Sequence, residues 1–149
     1  MEGSVNTMPS LKDYRIFISH AWKYGDNYNR LINLLDNANN FSYYNYSAPK
    51  ENPLSPEGTS LTNKEIAEKI TDKISPSQIT IVISGMYAAY RDWMKYEIDE
   101  SIRMGKPILG INPYGESESK TPKYVSDNAD MMVNWNTESI VSAIRELLK

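Results

Sequence analysis

Short apolar runs alternate along this chain with stretches of helical period. Tyr14 to Ser19 (YRIFIS) is β-branched and aromatic and predicts a strand. After a loop from His20 to Asp26, Leu31, Leu34 and Leu35 mark a helix over about Asn27 to Asn37. Phe41 to Ser47 reads as a second strand, polar enough to lie at a sheet edge. Ala48 to Leu61 holds Pro49, Pro53 and Pro56 and reads as a long loop, a kind of segment that is usually functional or mobile. A second helix is predicted from a Thr62 or Asn63 cap to Ile74, with Ile66, Ile70 and Ile74 four apart.

Ser75-Pro76-Ser77 ends that helix, and Ile79 to Ile83 (ITIVI) follows as a buried strand. A third helix opens at Asp92-Trp93, with Asp92 as its simplest N-cap, and stops at Gly105. Pro107 to Ile111 predicts a fourth strand, Asn112 to Asn128 a polar loop, and Met131 to Val133 a fifth strand. Thr137 to Leu148 closes the pattern as an amphipathic helix with Ile140, Ala143, Ile144, Leu147 and Leu148 inward. Strands and helices taking turns in this way predict a parallel sheet covered on both faces. Right-handed crossovers then suggest a flavodoxin-like α/β fold with strand order 2-1-3-4-5.

Composition narrows the chemistry. The 149 residues suit one domain, expected over 14–149 behind a flexible tail at 1–13. A net charge of −3 gives no basic stripe for nucleic acid. There is no cysteine and a single histidine, His20, which removes thiol chemistry, disulfides and multi-histidine metal sites. No apolar run approaches the length of a membrane span, and the first residues lack a signal-peptide core. A cytoplasmic protein is the expectation. The eleven tyrosines against two phenylalanines suit half-wet walls and interfaces, or the rim of an ordinary core.

In the order 2-1-3-4-5 the topological switch lies between the first and third strands, where open α/β sheets bind ligands. Ser19-His20 and Ser84-Gly85 are expected to meet there, with Glu97 beside them on the third helix. Receiver chemistry needs acidic strand ends, and these read Ser-His and Ser-Gly. The loop Ala21-Trp22-Lys23-Tyr24-Gly25 is not a flavin-phosphate loop, and neither G-x-G-x-x-G nor a Walker A loop occurs.

Glu97 has Trp93 and Met94 behind it and Glu100 and Ser101 ahead at helical spacing, with no basic neighbour at those positions. It borders the stripe Met94, Ile98, Ile102. Near a cleft, such a carboxylate is either a functional group or an ordinary solvated glutamate. His20 either contacts a substrate or caps its loop. Trp93 reads first as a packing residue, and Ser19 and Ser84 first as groups that satisfy strand ends, with ligand contact as the alternative.

These residues resemble the TIR domain superfamily, and within it the TIR-like proteins of the bacterial Thoeris anti-phage defence type. Tyr14 to His20 is similar to the family's first-strand box. Ile81-Val82-Ile83-Ser84 followed by Trp93-x-x-x-Glu97 is similar to its third-strand and helix box. Lys106 to Ile111 matches the next strand, and Asn45-Tyr46-Ser47-Ala48-Pro49 resembles a second-strand ending of the TIR-like branch. The resemblance implies that Glu97 is catalytic and that NAD is a substrate, cleaved at its nicotinamide-ribose bond. Ser19, His20, Ala21, Trp22, Ser84, Gly85 and Trp93 would line the pocket, with no metal and no cofactor.

The implied product is an ADP-ribose-derived signal nucleotide, cyclic or conjugated, that activates a separate effector. Self-association and a phage-derived trigger are implied as well. A frequent cysteine after the tryptophan is Met94 here, a packing change. Trp22, Lys23 and Tyr24 replace a basic pair found in some members. Two other roles remain open for the same fold: a non-catalytic interaction module, and a nucleotide sensor without turnover.

Overall fold

The computed structural model describes residues 13–19, 26–47, 62–86, 91–113 and 121–149. Its five strands are β1 (Asp13–Ser19), β2 (Ser42–Asn45), β3 (Ile79–Ile83), β4 (Ile108–Ile111) and β5 (Met131–Val133). The helices are α1 (Asp26–Asp36), α2 (Asn63–Ile74), α3 (Arg91–Arg103), α4 (Lys123–Asn128) and α5 (Thr137–Leu147). The sheet runs β2-β1-β3-β4-β5 and every pairing is parallel, as the alternation of elements predicts.

The central strands are apolar on both sides because both sides are covered. Ile16, Ile18, Ile79, Ile81, Ile83, Leu109 and Ile111 turn toward α1 and α5, against Leu31, Leu35, Ile140 and Ile144. On the other face Phe17 meets Ile66, Ile70 and Ile74 of α2, while Val82 and Ile108 meet Met94 and Ile98 of α3 and Val125 of α4. Since alternate strand residues share a face, Ser19 points the same way as Phe17, toward α2 and α3.

Local signals explain the helix ends. Thr62 and Glu65 form a reciprocal capping box at the start of α2. Gly105 ends α3 with φ of +71°, a left-handed conformation that glycine adopts without the Cβ penalty. Asp92 is not an N-cap: α3 begins at Arg91, so Asp92 lies in the first turn, where its charge complements the helix dipole. The stretch expected as one polar loop contains α4. Strand β2 is shorter than the expected Phe41 to Ser47.

The buried face of α3 also differs from expectation. It comprises Met94, Glu97, Ile98, Glu100 and Ser101, whereas Ile102 is 48% exposed. Residues four apart on a helix drift by about 40° per step, so the stripe through Met94 and Ile98 leaves the interface by Ile102. Glu97 lies inside the buried face rather than beside it.

Candidate active site

Glu97 is 0% exposed, which rules out the solvated-glutamate reading. Ionisable side chains are almost never buried to this degree without hydrogen-bonded partners. One partner is Ser19, whose hydroxyl donates a hydrogen bond to Glu97 Oε1. The contact follows from register. Ser19 pairs with Val82 at the carboxyl end of the β1–β3 ladder, and the adjoining face is covered by the N-terminal half of α3.

Three more groups fix that helix. Thr80 Oγ1 and Ser101 Oγ lie 2.6 Å apart, and Ser101 Oγ donates to the carbonyl of Glu97 at 2.7 Å. Ser101 has one proton, so Thr80 supplies the hydrogen of the first bond. The chain Thr80–Ser101–Glu97 ties the backbone beneath the carboxylate to the first half of β3. Sequence reasoning missed this pair. Its signals were a lone threonine inside the apolar run ITIVI and a serine one turn after Glu97.

A second fastening holds α3 to α2. Thr71 Oγ1 donates to Glu100 Oε2 at 2.6 Å, and Arg103 donates to both Glu100 oxygens at 2.8 Å. Arg103 holds the Glu100 carboxyl below its usual 4.5, a lowering that burial opposes and Thr71 assists. A lowered pKa means that this fastening contributes fully above the ordinary carboxylate range and is lost as pH falls through the lower, folded value. In urea titrations from pH 6 to pH 3, wild type should therefore lose more stability than Glu100→Gln. Parallel acid limbs would contradict this assignment.

Trp93 sits one turn before Glu97, half-buried against the Phe17 and α2 cluster and edge-on to Tyr96, with ring centroids 6.1 Å apart. Met94 is fully buried, in keeping with its reading as a packing residue. Ser84 follows β3 and is 1% exposed, with a hydroxyl that meets no hydrogen-bond partner among the described residues. Gly85 is directed elsewhere: a Cβ there would lie 3.5 Å from Asn27 Nδ2 and 3.7 Å from Pro113. The structure thus brings Ser19 into contact with Glu97, leaves Ser84 at the same edge, and turns Gly85 toward α1. His20, Ala21 and Trp22 lie outside the described residues, as does the whole of the expected long loop from Ala48 to Leu61.

Among the described residues no cluster of three acidic or histidine side chains could hold a metal ion. None of the described helices is long and apolar enough to cross a membrane. An open groove of about 490 Å³ between α1 and the start of α5, lined by Asn29, Arg30, Asn33, Leu34, Asn37 and Thr137, is on the opposite face of the sheet from Glu97.

The family model described as Thoeris protein ThsB, TIR-like domain, matches residues 17–118, a span that includes Ser19, Ser84, Trp93 and Glu97. Comparison with curated proteins returned no match. Among solved structures, a conserved protein from Enterococcus faecalis aligns with a TM-score of 0.58 at 11% identity, covering 91% of this chain and 99% of that one. At that identity the likeness speaks for the fold alone.

Proposed function

This chain belongs to the Thoeris ThsB TIR-like domain family, and from that membership in a defence-type TIR family we propose that it consumes NAD, with Glu97 as the catalytic group. The observation that carries the reading is a fully buried carboxylate, hydrogen-bonded by Ser19, at the carboxyl edge of a parallel sheet beside its switch point.

The chemistry suits a site with one carboxylate. As the bond between the ribose C1′ and the nicotinamide nitrogen breaks, its electron pair leaves with the nitrogen, and nicotinamide departs neutral. No strong general acid is required. Positive charge develops on the ribose, as in glycoside cleavage, and a fixed carboxylate stabilises it. A water, hydroxyl or base nitrogen then bonds to C1′ through a lone pair, and the acceptor molecule releases one proton to solvent. Water yields ADP-ribose, while an internal group yields a cyclic nucleotide.

On this reading the product is an ADP-ribose-derived signal, cyclic or conjugated, that acts on a separate effector protein. Self-association and a phage-derived trigger would regulate it, and the chain would work in the cytoplasm as one TIR-like domain over 14–149. His20, Ala21 and Trp22 remain proposed pocket residues, Gly85 a proposed contact through its backbone alone, and Trp93 a proposed wall.

The test is nicotinamide release from NAD by concentrated protein and in lysate of phage-infected cells, with product masses read by chromatography and mass spectrometry. The product mass separates hydrolase from cyclase or transferase. Folded protein that releases no nicotinamide under either condition would overturn the proposal in favour of an interaction module or sensor. Ser19→Ala should slow release by about ten- to a hundredfold, the worth of one hydrogen bond to a charged group. A rate equal to wild type would remove Ser19 from the positioning role.

A further inference from the structure

The segment Asn45-Tyr46-Ser47 closes the second strand in an unusual way. A backbone bond between the two strands runs from the Tyr46 N–H to the Ile16 carbonyl at 2.8 Å. Two residues further along β1, Ile18 presents its main chain to the same side. There a side chain takes over from the ladder. The Ser47 hydroxyl accepts the Ile18 N–H at 2.7 Å and donates to the Ile18 carbonyl at 3.3 Å. A hydroxyl carries one proton and two lone pairs, so a single oxygen can serve both groups.

Ser47 is buried and is itself held. Asn45 Oδ1 accepts the Ser47 N–H at 2.9 Å, an Asx turn, and Asn45 Nδ2 donates to the buried Tyr28 hydroxyl of α1 at 2.8 Å. With both ends of its amide engaged, Asn45 has one orientation to offer. The carbonyl that Ser47 grips belongs to the peptide joining Ile18 to Ser19. From the other side β3 sets the register, with Ser19 opposite Val82. A serine oxygen is one torsion away from the backbone, so the setting of that peptide governs how the Ser19 hydroxyl meets Glu97.

Resting on the NAD reading above, we infer that Ser47 is a positioning residue for the reaction, fixing the Ile18–Ser19 peptide and, through Ser19, the Glu97 carboxylate. The contacts run Tyr28–Asn45–Ser47–Ile18–Ser19–Glu97, from α1 through the end of the edge strand to α3. Ser47 acts on the carboxylate through Ser19 and not on the substrate.

The experiment is a double-mutant cycle over wild type, Ser47→Ala, Ser19→Ala and the double variant. Nicotinamide release from NAD is measured per folded protein, well below each melting temperature. The carbon-13 carboxyl resonance of Glu97, identified by its loss in Glu97→Gln, is followed in the same proteins. Ser47→Ala should lower kcat about three- to tenfold and leave KM within about twofold, because a displaced group costs rate more than affinity. In the Ser19→Ala background it should cost nothing further, since residues acting as one unit are not additive. The resonance should move in Ser47→Ala in the direction that it moves in Ser19→Ala, and the double variant should match Ser19→Ala.

An equal loss of kcat in both backgrounds would mark a structural role alone and overturn the inference. So would a raised KM with unchanged kcat, or a resonance that Ser47→Ala leaves in place. If wild type releases no nicotinamide, the NAD reading falls by itself, and the resonance decides whether Ser47 acts on Glu97. Should Ser47→Ala fail to fold, Asn45→Ala takes its place, since it changes an exposed residue and removes the Asx turn and the Tyr28 bond. It should shift the resonance the same way, and an unmoved resonance would overturn the inference.

Discussion

Glu97→Gln is expected to lower nicotinamide release from NAD by about 10²–10³-fold while the protein stays folded, the loss typical of removing one preorganised electrostatic group. The substitution is nearly isosteric at a position with no exposure, so it creates neither a cavity nor a clash. The amide oxygen that it introduces can still accept the Ser19 hydrogen, and Ser101 donates to the backbone carbonyl, which the side chain does not alter. What disappears is the negative charge facing the ribose. Unfolding in urea should be unchanged or shifted to higher denaturant, because a buried charge no longer needs to be desolvated. Release that continues at the wild-type rate would remove Glu97 from the chemistry.

Ile98→Ala should have the largest effect on stability. Ile98 is fully buried under α3 with Met94, Val82, Ile108 and Val125 around it, and truncation leaves a cavity between helix and sheet. Such changes cost about 2–5 kcal/mol, or a Tm lower by roughly 5–15 °C in a protein of this size. Activity should fall further than the folded fraction does, since Ile98 follows Glu97 on the helix and a displacement of about 1 Å can cost on the order of a hundredfold in rate. Ile98→Leu, which conserves volume, should retain most of both properties. An Ile98→Ala protein with wild-type melting would mean that α3 is held chiefly by its polar fastenings.

Much of this architecture is written in elementary patterns. The apolar run ITIVI is β3 to the residue, and isoleucines four apart with a Thr-x-x-Glu start mark α2. The helix α4 escaped because KYVSDN has one inward apolar residue, Val125, and a single anchor has no period. On α3 the apolar spacing runs on to Ile102, while two of the five buried positions are glutamates and one is a serine. Polar residues on a buried face are invisible to a hydrophobic pattern. The position of Glu97 beside the first and third strands followed from strand order, but its contact with Ser19 depends on the β1–β3 register, which only the structure supplies.

That register has a consequence for how the chain reaches its native state. The sheet contains no hairpin, and β1 must wait for a partner that lies 63 residues further on, as in Ile16 against Ile79. The β1–β2 pair, Asp13 against Ser42, closes the shorter loop and can form first. A topology dominated by such distant pairings folds slowly for its size, in milliseconds to seconds rather than microseconds. During synthesis the N-terminal half therefore emerges with the β3 side of β1 still open. Because Ser19 and Glu97 come from opposite sides of that delay, their contact is made only after β3 and α3 have left the ribosome.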